Sequence, residues 1–173
     1  MKKVVVILIM FIPFISACQM PDGSSVIDVP PEVRELAAET AYYYIGMPYV
    51  YGGGDWAGPR HIEGVGGIDC SGLIVNIYKR ATDVFDESLL FSDATVASLL
   101  NKYTRQIDNP EIGDLLFMGE DSITHVAVFV RDEDGMYYFI DAYSVTGVVE
   151  ERSYEKDDPK FKQFGRILVL RKG

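Results

Sequence analysis

From Pro31 to Tyr44, Val33, Leu36, Ala37, Thr40, Ala41 and Tyr44 recur at helical spacing and form one stripe. The spacing predicts a helix that starts at Pro31, with Glu32 at its positive end. Gly46 and Pro48 stop it. A second helical spacing, Leu73, Ile74, Ile77 and Tyr78, follows Asp69-Cys70-Ser71-Gly72 and ends near Lys79 and Arg80. Asp93 to Leu100 is a third, shorter helix candidate. After it the period changes to two. Residues 114–118, 124–130, 136–140, 147–152 and 164–170 read as strands. In the second of these, His125, Ala127 and Phe129 point one way, and Val126, Val128 and Val130 the other. Asp132-Glu133-Asp134-Gly135 is a turn between two strands. Helices first, then an antiparallel sheet of about five strands, predict an α+β domain.

The start of the chain departs from this pattern. Lys2 and Lys3 precede an apolar run from Val4 to Ile15, broken only by Pro13. That is the form of a secretory signal. The run is too short to span a membrane, which needs about 20 residues. Ile15-Ser16-Ala17-Cys18 resembles the lipobox of bacterial lipoproteins, which implies removal of residues 1–17 and a lipid on Cys18. Acyl chains there would tether the protein to a membrane, at about 0.8 kcal/mol per buried CH₂. Residues 18–30, with Pro21, Gly23, Ser24, Ser25 and Pro30, read as a short linker, and residues 31–173 as one domain.

Composition and charge remove several function classes. With 48% hydrophobic and 24% charged residues, the 173-residue chain has the make-up of a folded domain. Its 26 acidic and 16 basic residues give a net charge of -10, without a basic cluster. Nucleic acid is therefore not expected as a partner, because phosphate binding needs clustered Lys and Arg. Two cysteines without a CxxC pair argue against a disulfide scaffold and a thiolate zinc site. The glycine-rich stretch from Tyr49 to Gly67 lacks the GxxxxGK spacing of a phosphate cradle.

Three residues carry candidate chemistry. Cys70 sits at the predicted start of a helix, where unpaired amides favour thiolate over thiol. A buried structural cysteine is the plainer reading. His125 begins an apolar strand, a rigid platform from which an imidazole can take the thiol proton and later protonate a leaving amine. A strand-edge histidine bonded to backbone is its alternative. Asp141 ends the next predicted strand, across the turn, and can orient the ring. A simple strand terminator also fits that position.

Four ordered segments add a resemblance. Gly46-x-Pro48-Tyr49-x-Tyr51-Gly52-Gly53, Asp69-Cys70-Ser71-Gly72-Leu73, Gly113-Asp114-Leu115-Leu116-Phe117 and His125-Val126-Ala127-Val128-Phe129 resemble the motifs of the NlpC-type cell-wall peptidase family. The resemblance covers roughly Pro31 to Leu170. It implies a papain-like fold and cleavage of peptidoglycan stem peptides, often beside D-glutamate. It places Cys70 on the nucleophile, His125 on the general base and Asp141 on the third position, where many relatives carry histidine. Tyr49 matches a tyrosine whose hydroxyl lies near the nucleophile and can donate to an oxyanion. Asp69 and Ser71 match positions flanking the thiol, the first as a helix cap and the second facing substrate or bonding locally. Gly72 would allow a close approach to the helix. No metal or organic cofactor is implied. With the lipobox, the expected place is the cell envelope, anchored through Cys18 outside the cytoplasmic membrane, and the chain is expected to act as a monomer.

One stretch departs from the family pattern. Asp55 to Val65 is longer than the usual link between the first two motifs, and its Trp56 and Arg60 are candidates for a lid or substrate wall. A loop without function fits equally. His61 within it is a second candidate base on a poorer platform. Two rival functions stay open: an amidase or acyltransferase using the same thiol, and an inactive envelope lipoprotein that binds cell wall.

Overall fold

The computed structural model describes residues 23–54, 66–85 and 87–172. Helix α1 (Pro31–Tyr42) begins with Pro31 in its first turn, after an extended Pro30. It packs against α2 (Cys70–Thr82), and α2 in turn packs against the sheet. Val33, Ala37 and Ala41 of α1 are fully buried, as are Leu73, Ile74 and Ile77 of α2. The apolar stripes read from the sequence are thus the faces that join helix to helix and helix to strand.

The main strands are β4 (Leu115–Met118), β5 (His125–Glu133), β6 (Met136–Tyr143), β7 (Val148–Glu155) and β8 (Phe161–Arg171). They are antiparallel, in the order β8-β4-β5-β6-β7. The structure adds three short strands to the expected five: β1 (Ser25–Asp28), β2 (Glu87–Leu89) and β3 (Thr104–Ile107). All three pair with β8. The physical reason is the length of β8. Its eleven residues outrun β4 and leave their far end to β1 and β2. Strand β3 pairs along the other edge of β8, beside Phe164 and Gly165 that β4 also pairs, so that these backbone groups find partners. Strands of three or four residues carry too little alternation to be read from sequence. The stretch read as linker therefore contains β1. The expected helix at Asp93–Leu100 is a short α3 (Val96–Ser98), capped reciprocally by Thr95 and Ser98, that runs into a π-helical turn at Leu99–Tyr103.

The two faces of β5 have different neighbours. Val126, Val128 and Val130 join the helices in the larger apolar core. Ala127 and Phe129 join Leu116, Met118, Tyr137 and Phe139 in a second cluster on the other face. This is the alternation read from the sequence, interrupted by a register shift between Phe129 and Arg131.

An ion cluster ties α1 to the sheet. Asp114, fully buried before β4, accepts from Arg166 of β8 at 2.7 and 2.9 Å and from Arg34 of α1 at 3.4 Å. Glu111 meets both guanidiniums, at 2.6 and 2.9 Å. Arg34 is itself buried, so it needs the opposite charge. Asp114→Ala is expected to cost about 3 kcal/mol of stability, the low end for breaking a buried ion pair, because Glu111 remains. Urea unfolding measures it. A loss below about 1 kcal/mol would show that Glu111 alone satisfies both arginines.

Candidate active site

Asp69 determines where α2 begins. Its Oδ1 accepts the Gly72 N–H at 2.7 Å and the Ser71 hydroxyl at 3.0 Å, and its Oδ2 accepts the Gly52 N–H at 2.9 Å. Cys70 is therefore the first helical residue, with its sulfur in the field of the unpaired amides. It is a free, largely buried thiol. Gly72 lies two residues on, against the backbone of Gly53 and Gly54. A Cβ there would stand 2.4 Å from the Gly53 carbonyl oxygen and 2.8 Å from that of Gly54, so only glycine fits.

Tyr49 is held beside this helix start by a bridge to Ile68. Burial raises its phenol above the usual tyrosine range, and the nearby Cys70 and Asp69 add to the rise. The hydroxyl keeps its proton and can donate.

His125 opens β5, across from Met118 of β4. The β5–β6 register pairs Val128 with Ile140, which brings His125 to the end of β6 where Asp141 and Tyr143 stand. Strand β6 continues to Tyr143, so Asp141 lies within the strand rather than at its end. Its neighbours Ile140 and Ala142 belong to the helix-side core, and Asp141 turns to the other face. His125 Nε2 and Asp141 Oδ2 are 2.5 Å apart, and Asp141 is fully buried. Burial pushes the imidazole down, but hydrogen bonds to Asp141 and Cys70 outweigh it and raise it from 6.5 to about 9. With Nε2 committed to Asp141, Nδ1 is the nitrogen left for the thiol.

A cleft of about 650 Å³ joins these groups. Tyr49, Cys70, Ser71 and His125 line it, with Val96 and Ile123 as apolar wall and Tyr51 and Tyr143 as further aromatics. A smaller pocket of about 170 Å³ continues past His125 and Tyr143, toward Arg152, Tyr154 and Lys160. Among the described residues, no group of three or more His, Cys, Asp or Glu is placed to hold a metal ion.

The structure brings together Tyr49, Asp69, Cys70, Ser71, His125 and Asp141. Cys18, Trp56, Arg60 and His61 lie outside the described residues. Sequence reasoning missed the wall residues Val96, Ile123 and Tyr143, and it missed Arg152 of β7. Arg152 donates to Asp141 through Nε, at 3.1 Å, and through Nη2. A signal existed: alternation puts Arg152 on one face with Tyr154, which packs on the second apolar cluster. A charged residue on an apolar face needs a buried partner.

The assembled groups are a thiol at a helix start, an imidazole facing it, a carboxylate holding the imidazole and a hydroxyl donor. That set can attack a carbonyl carbon, steady an oxyanion and move a proton.

Solved structures share the fold. The P60 domain of an antigen from M. avium subspecies paratuberculosis matches with a TM-score of 0.57 and 22% identity, over 78% of this chain and 93% of that one. The resuscitation promoting factor interacting protein RipA matches with a TM-score of 0.59 and 23% identity, over 82% of this chain and 66% of that one. RipD from Mycobacterium tuberculosis, described as a non-catalytic NlpC/p60 domain protein adapted to peptidoglycan binding, matches with a TM-score of 0.53 and 20% identity, over 81% of this chain and 98% of that one. No curated protein sequence matches the chain. The family model of NlpC/P60 matches residues 46–164, a span that holds Cys70, His125 and Asp141 together, and the chain belongs to the NlpC/P60 family.

Proposed function

We propose that the protein is a cysteine endopeptidase that hydrolyses amide bonds in peptidoglycan stem peptides, at the bond beside D-glutamate. The observation that carries this reading is His125 held between Cys70 and the fully buried Asp141. Cys70 Sγ attacks the amide carbon. The oxyanion is met by the Cys70 backbone N–H and the Tyr49 hydroxyl. His125 gives its proton to the leaving amine as the C–N bond breaks. A water then attacks the thioester while His125 takes its proton, and the thiol returns.

The test is digestion of purified muropeptides by the wild type and by Cys70→Ala, read by mass spectrometry. New amine and carboxyl ends are expected from the wild type alone. Equal products from both proteins would remove the thiol mechanism. Products joined to a second acceptor would make the protein a transferase. Muropeptides bound but uncut by the wild type would support the wall-binding role described for RipD.

The envelope location is part of the same proposal, with Cys18 carrying the lipid and the domain tethered outside the cytoplasmic membrane. Cys18→Ser is expected to lose labelling by a fatty-acid analogue. Equal labelling of the variant and the wild type would end the lipid-anchor reading.

A further inference from the structure

The Asp141 carboxylate has more partners than orienting one ring requires. Oδ2 meets both His125 Nε2 and Arg152 Nη2, and Oδ1 accepts from Arg152 Nε at 3.1 Å. Two cations therefore share one fully buried carboxylate. Arg152 is itself held on several sides. It pairs with Phe139 in the β6–β7 register, on the sheet face that carries Asp141. Its Nη1 donates to the Tyr154 hydroxyl at 2.8 Å. Its guanidinium lies 3.6 Å from the centre of the Tyr143 ring, and that ring meets His125 edge to face at 5.8 Å.

We propose that Arg152 is a positioning residue of this site, which fixes the Asp141 carboxylate and draws off part of the negative charge that Asp141 offers to His125. Two parallel N–H bonds from a planar fork stop the carboxylate from turning. Oδ2 then stays on Nε2, and Nδ1 stays toward Cys70. The charge effect is separate. Arg152 and the imidazolium repel each other across the shared carboxylate. His125 is thereby kept less basic than a lone His–Asp pair would make it. A proton held too tightly is given up slowly to a leaving amine, so this tempering favours transfer.

The other groups around His125 do not reverse that sign. Cys70 faces it from α2, and Tyr143 stands beside it on β6. Tyr49 lies across the cleft. Glu150 of β7 lies 4.0 Å from Arg152 Nε, and a negative charge on that side has the same sign as Asp141 and does not oppose it. Glu120 and Lys160 line the pocket beyond His125 with opposite charges, 3.7 Å apart.

The inference rests on the hydrolase reading only for its kinetic arm. Its primary test is the titration of the His125 imidazole in the full chain by NMR. Only two histidines are present, so a His61→Gln sample assigns the signals. Arg152→Met is expected to raise the His125 midpoint by about one pH unit. It should also lower kcat on a defined stem peptide about 10-fold or more, with KM little changed. Arg152→Lys is expected to keep the midpoint near the wild-type value, because the charge stays. Its kcat should still fall about 10-fold, because a point charge cannot hold both oxygens. Circular dichroism checks each fold.

A His125 midpoint in folded Arg152→Met equal to or below the wild-type value would overturn the charge-sharing role. Should Arg152→Met fail to fold, Arg152→Lys decides, and wild-type kcat in that variant would overturn the positioning role. A wild type that hydrolyses no stem peptide would remove the hydrolase reading and leave the titration to judge Arg152.

Discussion

His125→Ala is expected to lower turnover on a defined stem peptide by about 10⁴-fold, or roughly 5 kcal/mol in barrier. Both proton transfers run through this ring in the proposed mechanism, so the loss belongs at the top of the range for general acid–base catalysis. The imidazole raised to about 9 is also the positive charge that faces the sulfur at neutral pH. Its removal leaves Cys70 with the α2 N-terminus as its remaining favourable field. The fold should survive, because His125 opens β5 and the buried core of that strand begins at Val126. Stopped assays with product analysis give the turnover, and circular dichroism checks the fold. A folded variant within 10-fold of wild type would move the base elsewhere, with His61 the next candidate.

Asp141→Asn is expected to lower turnover about 10- to 1,000-fold, or roughly 1.4 to 4 kcal/mol. In Ser-His-Asp hydrolases the same change costs about 10⁴, because the wrong ring tautomer is favoured. A smaller loss is expected here, because a cysteine ionises with histidine alone. The variant also has a pH signature. The hydrogen bond to Asp141 is the largest of the effects that raise His125. The alkaline limb of the wild-type pH–rate profile should lie near pH 9, and Asp141→Asn should move it down.

Stability follows the same linkage. The folded imidazole titrates near 9, above its ordinary 6.5, so it contributes stability that is full below about pH 6.5 and lost as pH rises through about 9. The stability gap between wild type and Asp141→Asn should be widest below pH 6.5 and narrow by pH 10. Urea unfolding at several pH values measures it. An unmoved alkaline limb in the folded variant would show that the carboxylate charge does not reach the ring.

The long elements and the residues that start them follow from local pattern along the chain. The apolar stripes at Val33–Ala41 and Leu73–Tyr78 specified α1 and α2, because helical period and burial are local properties of the chain. Alternation around Val126–Val130 specified β5 and both of its faces. Asp69 ahead of Cys70 specified a capped helix start with a thiol in its first turn, since a cap reaches only three residues. The tertiary structure alone decided what meets across the chain. Strands β1 and β2 pair with β8 where it outruns β4, and β3 pairs with its other edge, because the β8 backbone needs partners on both sides, which no local period records. Arg34 is buried because Asp114, eighty positions away, receives its charge. Arg152 became part of the site through the β6–β7 register, and Tyr143, Val96 and Ile123 became its walls through the packing of separate segments. Contacts of that kind depend on register and on the placement of one element against another; alternation places Arg152 on an apolar face, but a single chain read in order does not say which partner it meets there.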